Sequence, residues 1–429
     1  MYHKIVLVKP PERSEFNFGT FSLGVLAAAL PETAHVAILD ATGLSPANAA
    51  VQTWACEPDL IGVTVMGVAS VGPAEVFIRH LAQADSRHDA PIIAGGHGAS
   101  NLPGRLLEAG ARAVVIGEGE TTFRRIVDHG LEPGAPGLAC LADGRMVTGP
   151  MPTPIAPLDR LRPPARDLMP PPPNGIHLIE TSRGCPHACA FCETTRFHGR
   201  RWRACSPAWV AAEVRRLVDR HDAYIIHIAD DNFAASTRRV KRICGALREH
   251  TLPVFFMASA RADDLVADPD LLPAMAAARI LRINVGVESL DPSTARAAGK
   301  PIPLATYAHA FRRMRDLGMF SVASLIIGLP GESPAARDHI LELTLEAAPD
   351  SAHFLPFLPI PGVPMAEGCE RRDWDPSDAR YAASLNEAFC HHPDVVVRLE
   401  AAANHDDVRG LLARATLERH GGNAAPPTA

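Results

Sequence analysis

Residues 181–192 read Thr181-Ser182-Arg183-Gly184-Cys185-Pro186-His187-Ala188-Cys189-Ala190-Phe191-Cys192 and carry three of the nine cysteines of the chain. These three follow an apolar strand pattern, and their spacing lets one loop bring the thiols to a single metal centre. A structural zinc site would need a fourth ligand, for which His187 and His198 stand nearby. Iron–sulfur clusters usually take four cysteines, so three thiolates would leave one iron open to another ligand. Spacing alone leaves a cluster, a zinc site and a chance grouping open.

The remaining six cysteines are isolated in the sequence: Cys56, Cys140, Cys205, Cys244, Cys369 and Cys390. Lone cysteines are most often small core residues, and an odd total with one tight group does not describe a disulfide framework. No apolar run reaches about 18 residues, which a membrane-spanning helix requires, and the N-terminus enters a strand pattern rather than a signal peptide. We therefore expect a cytoplasmic protein without a membrane span.

The composition excludes further classes of protein. Hydrophobic residues make up 47% and charged residues 21% of the 429 residues, which is typical of a folded chain of two or three domains. The 42 Lys and Arg against 48 Asp and Glu give a net charge of −6, so no basic excess attracts a polyanion. Aromatic residues reach only 5%, too few for a base-stacking surface. We expect no nucleic-acid partner.

Strand and helix patterns alternate on the C-terminal side of the cysteines. Helices are predicted between the strands, for example at 208–220 and 306–317. Strands are predicted at 177–180, 225–229, 254–258, 281–287, 321–327 and 353–357. Six such units predict an α/β fold over residues 176–370, a partial (β/α)6 barrel rather than a closed eightfold one. Residues 371–429 are expected to form a short helical region with one or two helices and a frayed tail from Gly421.

The N-terminal side divides at prolines. Ten prolines fall between Pro150 and Pro173, and because proline removes a backbone donor, residues 131–175 are predicted to be a linker. Residues 1–130 alternate short apolar strands with helices, which predicts a doubly wound, Rossmann-like parallel sheet. Ligands of such sheets bind beyond the carboxyl ends of the strands. Glycines stand at two of these ends, at positions 95, 96, 117 and 119, although glycine there is also common in plain turns.

The cysteine segment resembles the defining motif of the radical S-adenosylmethionine (radical SAM) superfamily, including the aromatic Phe191 before the third cysteine. The resemblance implies a 4Fe–4S cluster on Cys185, Cys189 and Cys192, with the remaining iron chelated by the amino and carboxylate groups of SAM. One-electron reduction would cleave SAM to methionine and a 5′-deoxyadenosyl radical that abstracts hydrogen. The reductant would be a flavodoxin or a ferredoxin.

Later segments, each at a predicted strand end, resemble the SAM-binding positions of the same superfamily. The resemblance implies contacts to the SAM amino group, carboxylate, ribose and adenine. The implied residues are Phe191, Asp230, Asp231, Arg261, Glu288, Gly328 and Pro330. Other roles exist for some of them, because Arg261 could form a surface salt bridge and Asp230-Asp231 could cap a helix.

A doubly wound domain before a radical SAM barrel resembles the cobalamin-binding branch of that superfamily. The resemblance implies a cobalamin tail that passes Gly95, Gly96 and Gly117-Glu118, with the corrin edge over the loop from Met66 to Ser70. One departure is clear, because the signature Asp-x-His-x-x-Gly is absent after the first strand, where Lys9-Pro10-Pro11 stands. Relatives that lack this histidine would bind cobalamin with no histidine on cobalt.

We therefore expect a cobalamin-dependent radical SAM enzyme, most simply a C-methyltransferase that acts on an unactivated carbon of a small-molecule or natural-product substrate. An alternative keeps the cofactors without net methylation, as a cyclase or rearrangement enzyme that resembles the anaerobic cyclase of bacteriochlorophyll synthesis. A non-catalytic iron–sulfur or zinc protein is a third alternative. Methylthiolation of transfer RNA is disfavoured, because only two cysteines precede the cluster motif and residues 371–429 are not basic.

Overall fold

A computed structural model describes residues 2–12, 19–83, 90–250, 252–369 and 375–420. The chain divides into two compact units. The first contains Met1–Leu178 and Glu193–Ala204, and the second contains Ile179–Cys192 and Cys205–Ala429. The chain thus leaves the second unit directly after Cys192 and returns to it at Cys205.

The first unit is built on a seven-stranded sheet with the order β2-β1-β3-β4-β5-β6-β7. The first five strands pair in parallel and the last two pair antiparallel. The strands are β1 (Lys4–Lys9), β2 (His35–Asp40), β3 (Leu60–Thr64), β4 (Ile92–Gly95), β5 (Ala113–Val115), β6 (Leu138–Ala142) and β7 (Arg145–Thr148). The helices are α1 (Phe21–Ala28), α2 (Pro46–Ala55), α3 (Val71–Gln83), α4 (His97–Asn101), α5 (Pro103–Glu108) and α6 (Gly119–His129).

Strand β1 shows why this sheet is covered on both faces. Successive side chains of a strand point to opposite faces. Val6 and Val8 enter one buried apolar cluster, whereas Ile5 and Leu7 enter another. A strand buried on both faces is typical of a doubly wound sheet, so the predicted fold class of this unit is confirmed.

The sheet continues beyond residue 130, where the sequence predicted a linker. Strands β6 and β7 form a hairpin whose turn, Asp143-Gly144, has φ angles of 50° and 73°. Asp-Gly is a strong hairpin signal because both turn positions need positive φ, and the nearby prolines obscured it. Only the residues after the hairpin are without strands, and the proline-rich part is itself packed, since Leu158 is buried and Arg166 donates to the Leu178 carbonyl at 2.8 Å.

The second unit is built on a six-stranded sheet with the order β15-β14-β13-β12-β11-β8, as expected for the partial barrel. Its strands are β8 (Ile176–Ile179), β11 (Ile225–Ile228), β12 (Phe255–Arg261), β13 (Ile280–Glu288), β14 (Phe320–Ile327) and β15 (Ser351–Pro356). The short strand β9 (Ser182–Arg183) also belongs to this unit, whereas β10 (Arg203–Ala204) and the helix α7 (Thr194–Phe197) belong to the first unit. The helices of the second unit that precede the C-terminal region are α8 (Pro207–His221), α9 (Thr237–Glu249), α10 (Ala262–Val266), α11 (Leu271–Ala277), α12 (Pro292–Ala297), α13 (Leu304–Asp316), α14 (Pro334–Asp338) and α15 (Ile340–Ala347). On β13, Ile283, Val285 and Val287 are buried, whereas Arg282 and Asn284 keep accessible surface on the opposite face, which we call the open face.

Three helices follow the sheet, α16 (Pro376–Cys390), α17 (Pro393–Ala403) and α18 (Val408–His420), where the sequence predicted one or two. Pro393 begins α17 at a position where proline is well tolerated, and it marks the division between α16 and α17. The predicted frayed tail, Gly421–Ala429, lies outside the described residues. Within the described ranges, no helix combines the length and the apolar character that crossing a bilayer requires.

Candidate functional site

The start of the cysteine loop is held by two acidic residues that follow β11. The buried Asp230 carboxylate accepts hydrogen bonds from the backbone N–H groups of Thr181 and Ser182 at 2.6 and 2.9 Å, and from both of their hydroxyls at 2.6 Å. Burial raises the pKa of this carboxyl, and the hydrogen bonds from Ser182 and Thr181 oppose the shift. Asp231 accepts from the Gly184 N–H at 3.0 Å. These residues therefore fix the chain that leads into Cys185.

The end of the loop is held from two further segments. The Ala190 N–H donates to the Ala298 carbonyl at 2.9 Å, and the Met365 N–H donates to the Ala190 carbonyl at 3.0 Å. Gly299 has a φ of 68°, and a Cβ there would meet the Ala188 carbonyl oxygen at 3.2 Å. The loop has no helix or strand between residues 184 and 192, so its shape depends on these contacts.

The three thiols of the loop are reduced and partly buried. Burial raises the pKa of Cys185. The Arg261 guanidinium donates to Cys189 Sγ at 3.3 Å through Nη1 and binds Asp263 through Nε and Nη2, at 3.1 and 2.8 Å. Arg261 therefore forms an ion pair, the alternative left open by the sequence, and places positive charge at one of the thiols.

The two histidines that could complete a zinc site have other partners. His187 lies 2.9 Å from Asp264, and His198 lies 2.8 Å from Glu118 within the first unit. Within the described parts of the chain, no three His, Cys, Asp or Glu side chains come together closely enough to hold one metal ion. In a 4Fe–4S cube each cysteine binds a separate iron, so its thiolates lie further apart than the ligands of one zinc ion. Three thiols on one fixed loop are a donor set that fits such a cluster.

Phe191 connects this loop with the ends of two strands. It packs against a buried apolar cluster that contains Leu329, after β14, and Phe357, after β15. The aromatic residue before the third cysteine thus contacts the segment that carries Gly328 and Pro330. The motif identifies Phe191 by its place in the sequence, and in the structure its side chain packs the loop against this apolar cluster.

Glu288 ends β13 with a left-handed φ of 66°, and its carboxylate lies 3.0 Å from the Lys300 Nζ. Lys300 is only 4% exposed. Gly286 has no room for a side chain, because a Cβ would lie 2.8 Å from Lys300 Nζ. Sequence reasoning missed Lys300, and the signal that could have found it is a lone lysine in Gly299-Lys300-Pro301 after a strand that ends in Glu.

Gly328 lies in a turn that a helix of the C-terminal region supports. Its φ is 81°, and its N–H donates to Glu332 Oε2 at 2.8 Å. A Cβ at this position would overlap the carboxylate of Asp378 on α16, which also pairs with Arg337 at 2.6 Å. Pro330 follows in the same turn, partly buried. Asp378 was missed because it lies in a region that resembles no motif.

In the first unit, Val65, which leads into the loop Met66–Ser70, lies directly against Gly95 and Gly96 at the end of β4. The Gly95 carbonyl accepts from the Val65 N–H at 2.8 Å. Gly96 has a φ of 114°, and a Cβ there would lie 2.5 Å from the Val65 carbonyl oxygen. Only glycine allows the two segments to approach so closely.

Ser100 connects the ends of β4 and β5. Its hydroxyl donates to the Gly96 carbonyl at 2.8 Å and accepts from the Gly117 N–H at 3.0 Å. The six proposed cobalamin positions lie at or after the ends of β3, β4 and β5, at the carboxyl edge of one sheet: Met66, Ser70, Gly95, Gly96, Gly117 and Glu118. Sequence reasoning missed Ser100, because a serine within a helix gives no signal of its own.

Glu118 has a different environment from the glycines. Its carboxylate is 8% exposed and accepts hydrogen bonds from His198 Nδ1 at 2.8 Å and from the Arg203 guanidinium, one of them at 3.1 Å. His97 stacks on Phe197 with ring centroids 3.6 Å apart. The side chains of the segment Glu193–Ala204 thus hold it against the ends of β4 and β5, and the Glu118 carboxylate is used for this attachment.

Comparison with known proteins agrees with this geometry. The model of the radical SAM superfamily matches residues 179–344, and that of the B12 binding domain matches residues 13–127. An uncharacterized methyltransferase of Pyrococcus horikoshii is 28% identical over 384 residues, which cover 85% of this chain and 82% of the relative. The anaerobic magnesium-protoporphyrin IX monomethyl ester cyclase of Rubrivivax gelatinosus is 26% identical over 320 residues, 71% of this chain and 57% of the relative. The structure of the radical SAM methyltransferase TsrM of Kitasatospora setae, with cobalamin and a [4Fe-4S] cluster bound, superposes with a TM-score of 0.73 and 21% identity, covering 88% of this chain and 80% of that one. That likeness shows the fold.

Proposed function

Since the chain belongs to the radical SAM superfamily and carries a B12-binding domain, we propose that it methylates an unactivated carbon of a small-molecule or natural-product substrate. Its cofactors are a 4Fe–4S cluster, SAM and cobalamin. The observation that carries the proposal is the presence of both domain types in one chain whose cysteine loop brings three cysteines outside any disulfide to one segment. A methyltransferase among the relatives supports the same reaction class.

When bound, the cluster and SAM supply one-electron hydrogen abstraction, and cobalamin supplies methyl transfer to a carbon that has no lone pair. The protein binds and orients these groups. Cys185, Cys189 and Cys192 would hold the cluster, and the contacts of Asp230 and Asp231 keep their loop in one shape.

Two buried cations, each already paired with a carboxylate, lie near the proposed SAM positions. Arg261 already holds a carboxylate, Asp263, in a two-pronged contact, which is the geometry that suits the carboxylate of an amino acid. Lys300 holds Glu288 in place, and Glu288 would accept hydrogen bonds from the ribose. Gly328 and Pro330 would face the adenine, with Phe191 packed behind them.

Cobalamin would lie at the carboxyl edge of the first sheet. Gly95, Gly96 and Gly117 present backbone without side chains there, and the loop from Met66 to Ser70 would lie beside the corrin. At the end of β1, beyond which the histidine signature is absent, Lys9 is 3% exposed and donates to Thr42 Oγ1 at 2.9 Å. The electron would come from a flavodoxin or a ferredoxin.

A second candidate function is a cyclisation or rearrangement with the same cofactors and no net methylation. The relative of Rubrivivax gelatinosus named as a cyclase favours it. The two candidates share every cofactor and differ in the fate of the methyl group of SAM.

The test is anaerobic purification with cobalamin supplied, followed by product analysis with methyl-deuterated SAM. Methyl label in the product supports methylation, whereas 5′-deoxyadenosine formation with unlabelled product supports the second candidate. Cys189→Ala should lose iron and SAM cleavage, and Cys56→Ala is the matched control, since Cys56 lies on the edge of the first unit and should keep both. Equal iron content and SAM cleavage in the two variants would contradict the assignment of the loop.

A further inference from the structure

The open face of the six-stranded sheet carries a row of three residues that lies at a distance, along the strands, from the ends that hold the cluster loop. In the strand register, His227 of β11 pairs with Met257 of β12, and Met257 pairs with Arg282 of β13. Residues paired in this way point to the same face, so His227 and Arg282 lie on either side of Met257. Arg282 precedes Glu288 by six residues, which corresponds to about 20 Å along the strand. This row is therefore separate from the proposed SAM site.

Arg282 is partly buried on β13, a strand that α18 contacts. Burial lowers its pKa, and Arg419 of α18 lowers it further. In the portion of the chain that the structure describes, no carboxylate forms an ion pair with Arg282. Burial also lowers the pKa of His227 to about 4, with Arg282 adding to the effect, so that this histidine is neutral near pH 7.

Other enclosed arginines of the same protein show a different arrangement. Arg203 pairs with Glu118, and Arg183 pairs with Glu180 at 2.7 Å. Arg409 pairs with Asp350 at 2.8 Å. These three arginines pair with carboxylates, whereas Arg282 does not in the part of the chain that the structure describes.

A desolvated cation without a counter-charge destabilises the protein unless a ligand neutralises it. A second guanidinium nearby adds repulsion, which an anion between the two would reverse. Guanidinium groups bind phosphate and carboxylate in a two-pronged geometry. Accessible surface at Arg282 and Asn284 on the open face gives a solute a path to the row.

We propose that the row His227-Met257-Arg282, together with Arg419, is a binding site for an oxyanion, the phosphate or carboxylate group of a ligand. Arg282 is the anchoring cation and Arg419 the second. Asn284 and Ser324, which are hydrogen-bonded at 3.0 Å, lie above the row and give the rest of a ligand polar contacts. The site rests on the open face alone and does not depend on the methylation proposed above.

The test is calorimetric titration of the cofactor-loaded full chain with inorganic phosphate, phenyl phosphate and benzoate, each at an ionic strength fixed with chloride. We expect saturable binding of at least one of the three anions. Arg282→Gln should raise its dissociation constant at least about tenfold, the effect of losing one charge-assisted hydrogen bond. Arg242→Gln is the matched control, because Arg242 is exposed on α9, and it should leave binding unchanged.

If phenyl phosphate or benzoate binds more tightly, the site takes the anionic end of an organic ligand. If inorganic phosphate binds more tightly, the site takes a free anion. Both results support the site. If Arg282→Gln folds poorly, Arg419→Gln on the exposed side of α18 should weaken binding by a smaller factor. No saturable binding in the wild type, or equal binding in the wild type and both arginine variants, would overturn the proposal.

Discussion

Replacement of Asp230 tests whether this carboxylate shapes the cysteine loop or binds SAM directly. Its four donors divide evenly, because Oδ1 accepts the two backbone N–H groups and Oδ2 accepts the two hydroxyls. Asp230→Ala would leave both buried N–H groups without an acceptor, at a cost of about 1–3 kcal/mol each. The hydroxyls can turn to other acceptors and would add less. We expect a loss of about 4 kcal/mol in the free energy of unfolding, which corresponds to a drop in Tm of roughly 8–16 °C.

Asp230→Asn should be much milder than Asp230→Ala. The amide oxygen can still accept from the Thr181 and Ser182 N–H groups, and their hydroxyls can accept from the new NH2 group. We expect a loss of about 1 kcal/mol and iron loading close to that of the wild type. Asp268→Ala is the control, since Asp268 forms an exposed ion pair with Lys241 and its loss should not change Tm measurably.

The assay combines thermal unfolding followed by circular dichroism with iron content and SAM affinity after anaerobic reconstitution. If the loop role is right, Asp230→Ala loses stability and iron together. A variant that keeps its Tm and its iron but loses SAM affinity would refute the loop role and support direct SAM binding. Equal losses of Tm and iron in Asp230→Asn and Asp230→Ala would also refute the reasoning, because they would show that an oxygen acceptor at this position does not matter.

Three further outcomes are expected. Lys300→Met should weaken SAM binding at least about tenfold at unchanged iron content, because without the ion pair the Glu288 carboxylate, which would bind the ribose, is no longer held in place. Equilibrium dialysis with labelled SAM would measure the change in affinity. Gly328→Ala should lower the free energy of unfolding by about 2–4 kcal/mol, because the backbone there has a positive φ and the new Cβ would overlap Asp378. Adding Asp378→Ala should recover only the share of this loss that comes from the overlap. If urea titrations show no recovery in the double variant, the overlap is not a cause. Glu118→Ala should destabilise the protein by about 3–5 kcal/mol in urea titrations, since it leaves the buried guanidinium of Arg203 without its carboxylate. Glu132→Ala is the control, because it removes a more exposed ion pair and should change the urea midpoint little.

The sequence was sufficient for the parallel strands of both sheets, because buried parallel strands are short, nearly continuous runs of apolar residues. The hairpin β6-β7 was missed although Asp143-Gly144 is a turn signal, since the prolines that follow dominated the composition. The third C-terminal helix was missed although Pro393 marks the start of α17, since residues 371–429 match no motif that drew attention to it. In both cases the local signal was present and was not used.

The candidate site shows a different limit, since sequence resemblance identifies a position without its partners. Glu118 follows β5 as the cobalamin branch implies, yet its carboxylate is engaged by His198 and Arg203 from a segment that comes after the third cysteine. Lys300 and Asp378 act on Glu288 and Gly328 from positions 12 and 50 residues further along the chain. Such pairings depend on tertiary packing, which no local pattern encodes.

The contacts around the cysteine loop explain why radical SAM positions fall at strand ends. A loop without helix or strand has no internal hydrogen-bond ladder, so its buried backbone groups need partners from elsewhere. Here Asp230 and Asp231 supply them after β11, and the segment that ends at Ala298 supplies another after β13. In the proposed site the same edge of the sheet would also face SAM, and Arg261, the last residue of β12, would serve both sides, since it contacts Cys189 and already holds the carboxylate of Asp263. A motif residue at a strand end therefore has two constraints, because it must support the cysteine loop and also contact the ligand. A substitution that keeps only one of these two roles should separate cluster loading from SAM binding.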